Sequence, residues 1–166
     1  MAWHRIDELL RILDNSFSAG QHSFLANLAS VTPAEWEALP VGAERTIRDI
    51  VAHIGMFKFM YANHGFYDAS LDYGDNPATP PAERLASPDA AKAWLQEGHA
   101  YLRAGIDALA DDSELDVKRK AHWGQLVPTI LLIDIMHEHD VYHAGEINRT
   151  RGMLQGNDGW FIPPQD

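Results

Sequence analysis

The sequence contains no cysteine, which removes several kinds of chemistry at once. Disulfides, thiolate-ligated metal sites, iron–sulfur clusters and a cysteine nucleophile are all excluded. Any thiol reaction carried out by this protein must therefore take its thiol from a substrate.

Basic residues are also scarce, since 13 lysines and arginines oppose 24 acidic residues and give a formal net charge of −11. Proteins that bind nucleic acids commonly carry a basic patch that neutralises phosphates. The closest approach to one here, Lys118-Arg119-Lys120, comes shortly after an acidic run over residues 111–114. We expect no nucleic-acid partner.

No apolar run approaches the roughly 20 residues that a transmembrane helix needs. The most apolar stretch, Ile130 to Met136, is interrupted by Asp134. The first residues, Met1 to Glu8, carry acidic side chains and no apolar signal core, so we expect a cytoplasmic protein with no membrane partner. With 46% hydrophobic and 22% charged residues, the 166 residues predict one globular domain over 1–166.

Apolar residues that recur every three or four positions predict four long helices and no strand. The expected helices cover about 3–29, with an interruption at Gly20, and then 46–65, 87–110 and 128–151. Four amphipathic helices favour an all-α four-helix bundle with long inter-helix connectors, and an irregular all-α fold is the alternative.

Local signals mark the helix ends and one connector. Thr46 and Asp49 resemble a capping box at the start of the second helix, and Ser87-Pro88 has the form of a helix start. Gly152 suits the end of the fourth helix. The connector over 66–86 is long for a compact domain, and such connectors often shape a binding site.

The nine histidines include two, His139 and His143, that lie four residues apart on the fourth predicted helix. This spacing places their Cβ atoms about 5–6 Å apart on one side of a helix. Ile135 and Ile147 continue the same side, so both imidazoles should face the core. Two imidazoles so placed can bind one metal ion, as in the helical HExxH pattern. Hydrogen-bonded core histidines without a metal are the alternative.

A tight metal site usually has a third protein ligand. His53 is the best candidate because it lies on the apolar stripe of the second helix. His64 lies about 16 Å further along that helix at 1.5 Å per residue, too far to share the ion. His137 lies about 200° around its helix from His139, and we expect it to be exposed or at a subunit contact. Asp140 follows His139 where a zincin protease has Glu, so we reject a protease and expect Asp140 to be solvated.

These residues resemble the DinB-like (YfiT-like) family of metal-binding four-helix bundles. The resemblance covers roughly residues 3–152. The order and spacing of three segments carry it: 47–54 (IRDIVAHI), 122–124 (HWG) and 139–147 (HDVYHAGEI).

The resemblance implies a divalent ion, commonly zinc or nickel, bound by His53, His139 and His143, and often a homodimer. Characterised relatives include transferases and isomerases that use a low-molecular-weight thiol such as bacillithiol or mycothiol. This sequence departs from the commonest family pattern at Tyr142, where a further His is frequent, and around Gly145. The ligands are unaffected, but these neighbours can line the pocket.

The function expected from the sequence is that of a metal-dependent, thiol-dependent transferase or isomerase, in which the ion activates a small thiol or water. Glu146, one turn after His143, is a candidate base or support for that histidine, or a partly exposed helix residue. Asp49 either orients His53 or only caps its helix, and Trp123 either forms a pocket wall or packs. A metal-dependent hydrolase and a non-catalytic metal-binding stress-response protein are the alternative functions.

Overall fold

The computed structural model describes residues 4–159 and consists mainly of helices. In chain order the helices are α1 (Arg5–Asp14), α2 (Phe24–Leu28), α3 (Pro33–Glu37), α4 (Ile47–Phe66), α5 (Pro88–Asp107) and α6 (Thr129–Gln155). A π-helical turn (Asn15–Ala19) follows α1, and 3₁₀ turns lie at Ala82–Leu85 and Asp112–Asp116. An antiparallel hairpin joins β1 (Lys118–Lys120) to β2 (Leu126–Pro128). The all-α prediction is confirmed, and no helix in the described part of the chain is long and apolar enough to cross a bilayer.

The first predicted helix, 3–29, is shorter and broken, and its expected start at residue 3 lies outside the described residues. The helical backbone ends at Ala19, and Gly20 is extended with ψ of 150°. A new helix then begins after Ser23, whose side chain accepts a hydrogen bond from the Ala26 N–H. The apolar spacing continues across the break because both pieces bury apolar side chains, α1 in one hydrophobic cluster and α2 in another, so periodicity alone could not locate the second start.

The expectation of no strand was wrong. The hairpin contains three residue pairs, from Lys118 opposite Pro128 to Lys120 opposite Leu126. Thr129 closes it by donating its backbone N–H and its Oγ1–H to the carbonyl of Val117, at 2.9 and 2.8 Å. Strands of three residues are too short to show an alternating pattern, since the turn and the cross-strand hydrogen bonds define them.

α4 is the central helix of the fold, and two of its glycines allow close packing. A Cβ on Gly55 would lie 2.1 Å from Cζ3 of Trp94 on α5, and a Cβ on Gly65 would lie 2.3 Å from Cδ2 of Leu132 on α6. Since α4 begins beside the middle of α6 and ends beside the start of α6, these two helices run antiparallel. The predicted capping box of Thr46 and Asp49 starts α4. His53 therefore faces α6 from the first half of α4.

Candidate metal centre

The structure brings together the three predicted ligands, His53 from α4 and His139 and His143 from α6. One nitrogen of each ring lies within 4.8 Å of the others. The Nε2 atoms of His53 and His139 are 3.2 Å apart. Two nitrogens bound to one tetrahedral zinc ion at about 2.0–2.1 Å are roughly 3.3 Å apart. The donor set and its spacing therefore fit a small divalent ion.

The three imidazoles are held in their neutral form. Burial, together with the smaller effect of the neighbouring His143, lowers the pKa of His53 to about 4 and that of His139 to about 3. Burial also lowers the pKa of His143, against the opposing effect of the carboxylate of Glu146. Neutral rings keep the lone pairs that bind a metal, so near pH 7 protons do not compete for the site.

Glu146 supports one of the ligands directly. The Nδ1–H of His143 donates to Oε2 of Glu146 at 2.6 Å, and Nη2 of Arg45 donates to Oε1 at 2.6 Å. This contact assigns the proton of His143 to Nδ1 and leaves Nε2 free to face the ion. The sequence analysis missed Arg45, because it lies in the irregular segment before α4, where no periodicity indicates a partner.

Asp49 caps α4. The backbone N–H and the Oγ1–H of Thr46 donate to Oδ2 of Asp49 at 3.0 and 2.8 Å, and the Asp49 N–H donates to Thr46 Oγ1 at 3.1 Å. Within residues 4–159 no hydrogen bond joins Asp49 to His53. These contacts match the capping role considered for Asp49 and not the role of orienting His53.

One expectation about the neighbouring residues was wrong. Asp140 is buried, not solvated, because α6 turns it toward α4, where it meets the ammonium of Lys58 at 2.7 Å. His137 is half-buried and close enough to Asp140 to lower the pKa of that carboxyl, against the larger raising effect of burial. His64 is directed away from a shared ion, as predicted, with Nε2 2.8 Å from the carbonyl of Leu71.

Aromatic side chains form a wall beside the three histidines. The ring of Phe57 lies 4.6 Å from that of His53 and 5.5 Å from that of His139, measured between centroids. Tyr61 and the hairpin residue Trp123 continue the wall, with their rings 5.5 Å apart. Trp123 packs against Tyr61 and is 38% exposed. We call Phe57, Tyr61, Tyr73, His122 and Trp123 the aromatic wall.

A surface groove of about 600 Å³ runs along the outer side of α6 and reaches His139. Its lining includes the apolar side chains of Ile135, Val141 and Tyr142 and the carboxylate of Glu138. The candidate centre thus has polar ligands bordered by apolar surface on two sides, an environment that binds small organic molecules in many proteins.

No curated protein matches this chain. A family model described as the DinB superfamily matches residues 16–147, about four-fifths of the chain. The matched segment contains His53, His139, His143 and Glu146, together with all of α4 and the part of α6 up to residue 147. The chain therefore belongs to the DinB superfamily.

Proposed function

We propose that this protein is a metal-dependent enzyme in which His53, His139 and His143 bind one divalent ion, zinc or nickel. The observation that carries the proposal is the convergence of three neutral imidazole nitrogens within 4.8 Å, contributed by two separate helices. Three protein ligands leave coordination positions for a substrate or water, the condition for a catalytic site. When bound, such an ion lowers the pKa of a coordinated thiol or water and supplies a nucleophile near neutral pH.

The substrate class that fits best is a low-molecular-weight thiol together with an electrophile, in a transferase or isomerase reaction. The chain has no cysteine, so the thiol must come from outside. The aromatic wall provides apolar surface on one side of the ligands, and its most exposed member, Tyr73, is available to contact a substrate. Apolar walls of this kind also exclude water that would compete with the thiol.

Glu146 has a positioning role in this proposal. Both of its oxygens accept hydrogen bonds, from His143 and Arg45, which hold the carboxylate in one orientation beside His143. Its contribution is to fix the orientation of His143 and to increase the basicity of that ring.

We also propose that the protein acts as a homodimer. The solvent side of α6 exposes Leu131, Val141 and Tyr142, the last at 70% of its surface, next to the groove that reaches His139. Exposed large apolar side chains on an outer helix are consistent with a protein–protein contact. The cytoplasmic location expected from the sequence stays a prediction.

Metal content tests the central claim. We expect purified wild-type protein to contain about one divalent ion per chain, and His139→Ala and His143→Ala to contain less than about a tenth of that. His22→Ala, which changes an exposed histidine outside the three ligands, is the matched control and should retain the ion. Equal metal content in all four proteins would reject the site.

The alternative functions differ in the reaction that the metal-loaded protein would catalyse. The metal-loaded protein should convert a small thiol and an electrophile into a thioether or an isomerised product. Hydrolysis of simple esters without any thiol dependence would instead favour the metal-dependent hydrolase. If neither reaction occurs while the ion still raises the melting temperature, the protein is a non-catalytic metal binder, as the stress-response alternative holds.

A further inference from the structure

The α4–α6 contact contains a fully buried ion pair that the proposed chemistry does not use. Nζ of Lys58 donates to Oδ2 of Asp140 at 2.7 Å, and the two side chains are 0% and 1% exposed. The same ammonium lies 4.5 Å from the ring centroid of Phe17 in the π-helical turn. Neither residue is a ligand, yet Asp140 directly follows the ligand His139.

Stability alone does not account for this pair. Removing two charges from water carries a large desolvation penalty, and apolar side chains of similar volume often give an equal or more stable core. The carboxylate is also incompletely satisfied, since Oδ1 of Asp140 is buried without a hydrogen-bond partner among the described residues. An ion pair restricts the relative orientation of two helices more than apolar packing does, because its hydrogen bond forms only within a narrow range of distances and angles.

The relative placement of α4 and α6 that the ion pair requires is the same one that the metal centre requires. Lys58 lies five residues after His53 on α4, and Asp140 lies between the two ligands of α6. If α6 moved along α4 by one turn, about 5.4 Å, the ion pair would break. His139 and His143 would then no longer lie opposite His53. If α6 rotated by one residue, about 100°, Asp140 would leave Lys58 and His139 would leave His53.

We propose that the Lys58–Asp140 ion pair fixes the axial position and rotation of α6 against α4, and so holds His53 opposite His139 and His143. Lys58 and Asp140 are positioning residues, which act on the ion through the ligands. The inference rests on the proposed function to the extent that it requires the three-histidine metal site.

The decisive variant is the double substitution Lys58→Met/Asp140→Leu, which removes both charges without leaving either one unpaired. We expect it to remain folded, because the apolar pair fills the same space. Its zinc affinity, measured by competition with a chromophoric chelator, should fall by about tenfold or more, the range typical for loss of residues that orient ligands. The absorption of bound cobalt(II) should also change, since it reports the coordination geometry.

A second buried ion pair on α6 provides the matched control. Nε of Arg151 lies 3.1 Å from Oε1 of Glu35, and these side chains are 2% and 10% exposed. Arg151→Met/Glu35→Gln disturbs burial and charge to a similar degree at the opposite end of α6 from the hairpin. It should lower resistance to urea while leaving zinc affinity within about twofold of wild type. If Lys58→Met/Asp140→Leu binds zinc as tightly as wild type, or if the control loses affinity equally, the positioning role is rejected.

Asp140→Glu covers the case in which the double variant does not fold. This substitution keeps the charge and the pairing group but adds one methylene, which moves the pairing carboxylate relative to α6. We expect a folded protein with weakened zinc binding, and unchanged affinity would overturn the inference. Wild-type protein that binds neither zinc nor nickel would reject the proposed function and the positioning role with it, whereas equal binding by wild type and variants rejects the positioning role alone.

Discussion

At the scale of single residues, the carboxylate of Glu146 connects the segment before α4 to a ligand on α6. It accepts from His143 on one oxygen and from Arg45 on the other, both at 2.6 Å, and is about one-quarter exposed. Hydrogen bonds in which the donor or the acceptor is ionised are stronger than those between neutral groups. The orientation of His143 therefore depends on a residue that does not touch the ion.

Replacing Glu146 by Gln separates orientation from proton transfer. The amide has one acceptor oxygen where the carboxylate has two, so His143 and Arg45 can no longer both be satisfied. We expect zinc affinity to fall about 10- to 100-fold, as for other residues that support metal ligands. Chelator competition gives the affinity, and nitrogen chemical shifts of His143 give its tautomer. If turnover falls while affinity and tautomer stay unchanged, Glu146 is a catalytic base and not a positioning residue.

At the scale of helices and strands, the sequence predicted what local signals encode and missed what distant contacts decide. The starts of α4 and α5 fell within one residue of prediction, because Thr46 and Ser87 cap them through neighbouring N–H groups. The three histidines that the structure brings together were also identified from the sequence, because they lie on apolar stripes of their helices. The Lys58–Asp140 and Arg45–Glu146 pairs were not, because their members lie 82 and 101 residues apart and no periodicity relates them.

The close packing of α4 on α5 makes a prediction about two glycines. A Cβ on Gly55 would lie 2.1 to 2.7 Å from three atoms of the Trp94 ring, whereas a Cβ on Gly98 would lie 3.0 Å from Phe59 Cε2. Gly55→Ala should therefore lower the free energy of unfolding by about 1–3 kcal/mol through overpacking. Gly98→Ala should change it by less than about 1 kcal/mol, because the better helix propensity of alanine offsets a small adjustment of Phe59. Urea unfolding measures both, and equal losses would show that the Trp94 contact does not limit the helix spacing.

At the scale of the whole molecule, a net charge of −11 makes close association of two copies unfavourable unless their contact surface is locally balanced. The outer side of α6 exposes both an acidic and a basic side chain. Glu138 and Arg149 are both exposed there, and within the described chain neither forms an ion pair. An antiparallel two-fold pairing of α6 centred between residues 143 and 144 brings Glu138 opposite Arg149 of the partner subunit. The same register brings Tyr142 over Gly145 of the partner subunit, where no described atom occupies the space of a Cβ.

The proposed dimer can therefore be tested by exchanging these charges. In Glu138→Arg, and separately in Arg149→Glu, each copy would meet its partner with like charges, and we expect self-association to weaken at least about tenfold. Mixing the two variants should restore a dimer, because both contacts of the mixed pair again join opposite charges. Within one helix, residues 138 and 149 are about 16 Å apart, so recovery cannot come from a contact inside one chain. Sedimentation equilibrium of each variant and of the mixture measures the effect. A mixture that remains as monomeric as its components would place the dimer contact elsewhere on the protein.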